Sequence, residues 1–204
     1  LLLVGAGWLR EYLEAFVIAL SKGDGDTAFR IMEWAAGRRQ EGARPSGIAF
    51  LRTLRDQGNW HLYVAAAEQH LTPDRLLCTG FLEHHFLAHV FPLSDVAVFP
   101  SAVAEASPLV VPEAAACGCL PMGTDFAGMR RALDSLAPRL PESLRPLLRL
   151  DPEPEATAGS IVDNVGRALA APEDPGPALR KAAVDEYDWH GIARTVAEEL
   201  TTLG

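Results

Sequence analysis

The chain has 204 residues, 49% hydrophobic and 22% charged, which is ordinary globular composition with length enough to bury a sizeable core. A formal net charge of −9 and an isoelectric point near 5.1 make its surface repel duplex nucleic acid and anionic membranes, so neither is expected as a main partner. Cys78, Cys117 and Cys119 form no paired spacing and read as reduced thiols of a cytoplasmic protein, and no apolar run reaches the ~18 residues that span a bilayer.

Leu1 to Val4 is a continuous apolar run closed by "GAG", the pattern of a parallel strand buried on both faces. It has no basic region or cleavage site before it, so it is no signal peptide; a strand at the first residue reads as the interior of a longer polypeptide. Leu9, Leu13, Phe16, Val17 and Leu20 then recur at helical spacing up to Gly23. Residues 24–70 hold three helical stretches, "TAFRIMEWAAG", "IAFLRTLRDQG" and "WHLYVAAAEQHL". The polar "RRQEGARPSG" at 38–47 separates the first two, so this region is expected to be a helical insertion with a mobile loop.

From residue 75 strands and helices alternate. "RLLCTGF" (75–81), "DVAVFPS" (95–101) and "CLPMGTD" (119–125) read as strands; 83–94, 108–117 and 126–136 read as helices. Such alternation predicts βαβ units and a doubly wound, Rossmann-like α/β fold with a parallel sheet. A proline-rich stretch at 138–154 precedes C-terminal helices over 155–204, marked by Ile161, Val162, Val165 and Leu169 and by "WHGIARTVAEELTTL".

Parallel sheets bind ligands beyond the carboxyl ends of their strands. "DVAVFPS" runs straight into "AVAEASPLVVPEAAACGC", which places Glu105 on a loop at that edge. Ser107 followed by Pro108 predicts a helix start, a hydroxyl cap with proline at the first position. The N–H groups of Leu109 and Val110 would then point outward with the positive end of the helix dipole behind them, suiting a pyrophosphate. Glu113, one turn on, leans back toward the same ligand. A carboxylate repels phosphate, so its partner should be hydroxyls, and a ribose diol offers two donors to one carboxylate.

Together these residues resemble the E-x7-E motif of retaining GT-B glycosyltransferases, specifically family 4 (group 1), where relatives read like "PS-x-x-E-G-F-G-L-V-x-x-E-A-M-A-C-G-x-P-V". The matching positions are Pro100, Ser101, Glu105, Ala106, Leu109, Val110, Glu113, Ala114, Ala116, Cys117, Gly118 and Pro121. "LLCTGFLEHHFLAHVFPLSDVAVFPS" upstream, "GTDFAGM" (like "x-S-D-x-G-G-x") downstream, "LLLVGAGWLRE" at the start and "YDWHGIAR" near the end extend the similarity. The resemblance implies the nucleotide-sugar-binding, C-terminal half of a GT-B fold over 1–204. It implies a nucleotide-diphosphate sugar as donor substrate, transfer with retained anomeric configuration, no cofactor and no metal. Glu113 would hold the ribose, amides at Ser107, Leu109 and Val110 the diphosphate, and Glu105, the catalytic position, donor-sugar hydroxyls near the anomeric carbon. Backbone at Phe81, Leu82, Gly5 and Gly7 would line the base and donor pocket. The acceptor, not identified by sequence, would bind an N-terminal domain absent from this chain.

Three positions depart from the pattern. Pro108 stands where the family has the glycine before the diphosphate amides, and removes one N–H. Pro112 lies inside the expected helix and must delay or distort its first turn. The family's glycine-arginine…lysine segment, whose cations neutralise the diphosphate, is not found, so the chain is expected to be inactive alone. The alternatives are a degenerate nucleotide-binding or interaction module without catalysis, and a dinucleotide- or S-adenosylmethionine-type Rossmann domain suggested by "VGAGWLR". In the latter, Arg10 occupies the third glycine position. His84, His85 and His89 share one short helix without an acidic partner pattern and read as surface residues. Cys117 and Cys119 read as buried small hydrophobes, and Trp34, Phe50 and Trp60 as core of the insertion.

Overall fold

A computed structural model describes residues 1–38, 47–72 and 74–202. The described chain is α/β with parallel sheets and divides into two compact units, 1–83 and 84–204. Most of the polar loop expected at 38–47 lies outside the described residues.

In the first unit β1 (Leu2–Val4) pairs in parallel with β2 (Leu77–Gly80), Leu3 opposite Cys78. Four helices lie between them: α1 (Arg10–Ser21), α2 (Gly25–Gly37), α3 (Gly47–Asp56) and α4 (Trp60–His70). The three helical stretches read from the sequence over 24–70 are present as α2 to α4. Asp24 starts α2 by accepting the Thr27 N–H at 3.0 Å, which satisfies one of the first turn's donors. Apolar residues at helical spacing meet inside: Leu20, Ala28 and Ala67 in one cluster, Phe29, Met32, Ile48 and Leu51 in a second. The Arg55 guanidinium lies 3.7 Å from the centre of the Phe29 ring, a cation–π contact. Trp60 is half-buried against both clusters, but Trp34 and Phe50 are exposed, contrary to the core role expected of them. β1 is likewise not buried on both faces: Leu3 and Val4 are exposed, and among the described residues β1 pairs with β2 alone.

The second unit carries the regular alternation. α5 (His84–Val90) leads to β3 (Val96–Phe99), α6 (Val110–Ala116), β4 (Leu120–Thr124), α7 (Ala127–Leu136) and β5 (Arg149–Leu150). The order β3-β4-β5 is all parallel, with Val98 opposite Met122 and Thr124 opposite Leu150. β4, central and fully buried, is the run "LPMGT"; its inward residues and those of α7 (Met129, Leu133, Leu136) form one core with Leu148, Leu150 and Leu179. β5 falls inside the proline-rich stretch, where a two-residue strand leaves no period-2 pattern to read. α8 (Pro154–Ala170), α9 (Gly176–Tyr187) and α10 (Trp189–Thr202) complete the unit.

Candidate functional site at the carboxyl edge of the second sheet

β3 and β4 end side by side, Phe99 opposite Gly123, and the loop after β3, residues 100–109, lies along this edge. Two contacts hold it. The Thr124 hydroxyl, itself 3% exposed, donates to the Ser101 carbonyl at 2.8 Å. The Gly128 N–H, at the start of α7, donates to the Glu105 carbonyl at 2.9 Å. A Cβ on Gly128 would lie 2.3 Å from the carbonyl oxygens of both Glu105 and Ala106, so only glycine allows so close an approach. The Glu105 side chain itself is exposed.

Helix α6 begins later than the cap signal predicts. Its cap position is Leu109, with no side-chain cap bond, and Ser107 is exposed without capping it. Pro112 supplies the reason. A helix starting at Pro108 would require the N–H that Pro112 lacks, whereas a start at Val110 puts Pro112 in the first turn, where that donor is not needed. The turn preceding the helix is closed by the Val111 N–H on the Pro108 carbonyl at 3.4 Å and the Glu113 N–H on that of Leu109 at 3.1 Å. Leu109 and Val110 stand at the open end.

Glu113 sits in the first turn of α6. Its Oε1 lies 3.1 Å from Nδ1 of His84, with 34% of the glutamate side chain and 78% of the histidine exposed. Its Oε2 is buried and, among the described residues, has no hydrogen-bond partner. The expectation that both carboxylate oxygens meet a diol is thereby narrowed to Oε1, the oxygen beside His84.

Beside this edge Asp125, directly after β4, receives Arg130 at 2.9 Å and Arg149 at 3.5 Å, and Arg149 also pairs with Asp134. Ala127 between them has φ +49°, the left-handed region that costs a side chain energy. Below the helix, Cys119 has no exposed surface, and its thiol is pushed up to about 12 by burial, then by the Asp95 carboxylate and Cys117. Cys117 is half-buried and also raised, by burial first. A cavity of about 470 Å³ lined by Asp95, Gly118 and Arg180 lies at the amino ends of β3 and β4, away from this edge.

The remaining expected site residues are in the first unit. Gly5 has φ +136° and donates its N–H to the Gly80 carbonyl at 2.8 Å; the Gly7 carbonyl accepts the Arg10 N–H at 3.0 Å. Phe81 is 72% exposed, and Leu82 is half-buried. Arg10, paired with Glu14 at 2.7 Å, lays its guanidinium over Gly80, where a Cβ would lie 2.7 Å from Nη1. Sequence reasoning missed Arg10, His84, Thr124 and Gly128. The pattern "x-S-D-x-G-G-x" marked two of them in advance, Thr124 at its serine position and Gly128 at its second glycine. Among the described residues, no three His, Cys, Asp or Glu side chains gather as a metal-binding set, and no helix is long and apolar enough to cross a membrane.

Residues 56–137 match the family model described as glycosyl transferases group 1. The matched span is less than half of the 204 residues and includes Glu105, Glu113, His84 and Gly128. No curated protein and no solved structure matches the chain at a significant level.

Proposed function

We propose that this chain is the donor-binding part of a family 4 glycosyltransferase, the C-terminal half of a GT-B fold, acting on a nucleotide-diphosphate sugar with retention of anomeric configuration and without a metal. The observation that carries the reading is Glu113. It lies within the span similar to group 1 glycosyl transferases, in the first turn of the helix that follows β3, with its side chain partly exposed and Oε1 beside His84.

The roles follow from charge and reach. Glu113 accepts from a ribose hydroxyl; it stands one turn away from the Leu109 and Val110 amides, which face the diphosphate. The separation keeps carboxylate and phosphate from direct repulsion. Glu105, on a loop fixed through its own carbonyl by Gly128, accepts from hydroxyls of the transferred sugar. Gly5, Gly7, Phe81 and Leu82 contribute backbone to donor binding, and Ser107 its amide. The acceptor binds an N-terminal domain of the same enzyme, so the chain alone binds donor without turnover, in the cytoplasm.

Calorimetric titration with UDP, GDP and ADP tests this. One diphosphate should bind, and Glu113→Ala, at a partly exposed position that folding tolerates, should weaken it by about tenfold or more, the worth of a hydrogen bond to a charged group. No binding by any of the three, or binding indifferent to Glu113→Ala, defeats the proposal.

A further inference from the structure

His84 opens α5 and brings Nδ1 to 3.1 Å from Glu113 Oε1. At that separation a bare nitrogen lone pair would face the carboxylate's own and be repelled, so the ring proton belongs on Nδ1. A neutral imidazole carries one N–H, and its other nitrogen, Nε2, is then an acceptor. Since 78% of the His84 side chain is exposed, Nε2 is open to solution. Glu113 Oε2 is buried and has no donor among the described residues, so this carboxylate presents a single oxygen. The pair therefore offers two acceptors of different kinds, a carboxylate oxygen and an imidazole nitrogen, held together by the contact between them.

Two adjacent hydroxyls are the complementary chemistry. We propose that the ligand's vicinal diol is received by the Glu113–His84 pair rather than by Glu113 alone, and that His84 is the residue that tells ribose from deoxyribose. This rests on the reading of Glu113 as the ribose-binding glutamate. A site that expects a hydroxyl and receives none loses the bond and leaves its acceptor unpaired, which is how a pocket rejects a deoxy analogue. Because His84 is exposed, water takes over part of that loss, and the discrimination is about tenfold rather than thousands-fold.

The test is calorimetry on the whole protein with the best-binding nucleoside diphosphate and its 2′-deoxy and 3′-deoxy counterparts. Wild type, His84→Ala and His84→Gln are compared, with circular dichroism to show that each variant is folded. Wild type should prefer the ribose form by about tenfold over at least one deoxy form. His84→Ala should weaken the ribose form by a similar factor while leaving that deoxy form nearly unchanged, so that the ratio falls toward one. His84→Gln, whose amide oxygen is an acceptor, should restore part of the ratio. If His84 merely supported Glu113, both forms would weaken together and the ratio would stand, which overturns the proposal; so does a ratio indifferent to His84 while Glu113→Ala still weakens binding. In both cases the role of Glu113 survives. If no nucleoside diphosphate binds, both readings fall.

Discussion

Gly128 donates its N–H to the carbonyl oxygen of Glu105 at 2.9 Å, and a Cβ on Gly128 would fall 2.3 Å from that same oxygen. The start of α7 is thus a template for the backbone of the loop that carries Glu105. Gly128→Ala must push Glu105 and Ala106 off the helix, because the obstructing atoms are backbone and cannot rotate away. We expect a stability loss of about 1–3 kcal/mol, the range for overpacking, read from urea midpoints. The loss should be accompanied by weaker nucleotide-sugar binding under conditions where the variant is still folded. Unchanged stability and binding would mean that the loop is not set by this contact.

Ala127, one residue earlier, holds φ +49°. In the resembled pattern "x-S-D-x-G-G-x" this position is glycine, which adopts positive φ without a Cβ clash. Ala127→Gly should therefore stabilise the protein by about 0.5–1 kcal/mol: the relief of left-handed strain exceeds the extra entropy lost on ordering a glycine. A lower urea midpoint in the variant would contradict this.

β3, β4 and α7 of the second unit were readable because β3 is the apolar run "VAVF", β4 lies between two helical stretches, and α7 repeats Met129, Leu133 and Leu136 at helical spacing. Glu113 was legible because its distance from a strand end and a helix start is local. The start of α6 was misread because Ser107–Pro108 is a good cap signal, but Pro112 four residues on forbids a helix from there, and a steric veto outranks a capping preference. β1 was expected to be buried because apolar runs usually are; whether packed layers cover both faces of a strand is a tertiary fact. His84 was invisible for the same reason: its partner lies 29 positions away, and no periodicity joins them.

Alkaline pH should destabilise the protein through Cys119. Burial, then the Asp95 carboxylate and Cys117, push its thiol from 9.0 up to about 12. Between those values the unfolded chain has released a proton that the folded one keeps. Stability therefore falls as pH rises through that window, and the contribution is complete only below 9.0. Cys119→Ala removes this component. Urea midpoints at about pH 8 and about pH 10.5 should differ less in the variant than in wild type; equal differences would show that the thiol is not held neutral.

Thr124 joins the core to the carboxyl edge of the second sheet. It is the last residue of β4, 3% exposed, and its hydroxyl donates at 2.8 Å to the carbonyl of Ser101 on the loop after β3. Thr124→Val keeps the shape and removes the donor, leaving a carbonyl without its partner beside an added methyl. Such a loss costs about 1–3 kcal/mol. Thr124→Ser keeps the hydroxyl and gives up only a methyl, so it should lose some packing but hold the loop. The two variants separate stability from function: both should have lower urea midpoints than wild type, while nucleotide-sugar affinity should fall only in the valine variant, where residues 100–109 are no longer tied to β4. If serine weakens binding as much as valine does, the methyl packing rather than the hydrogen bond sets the loop.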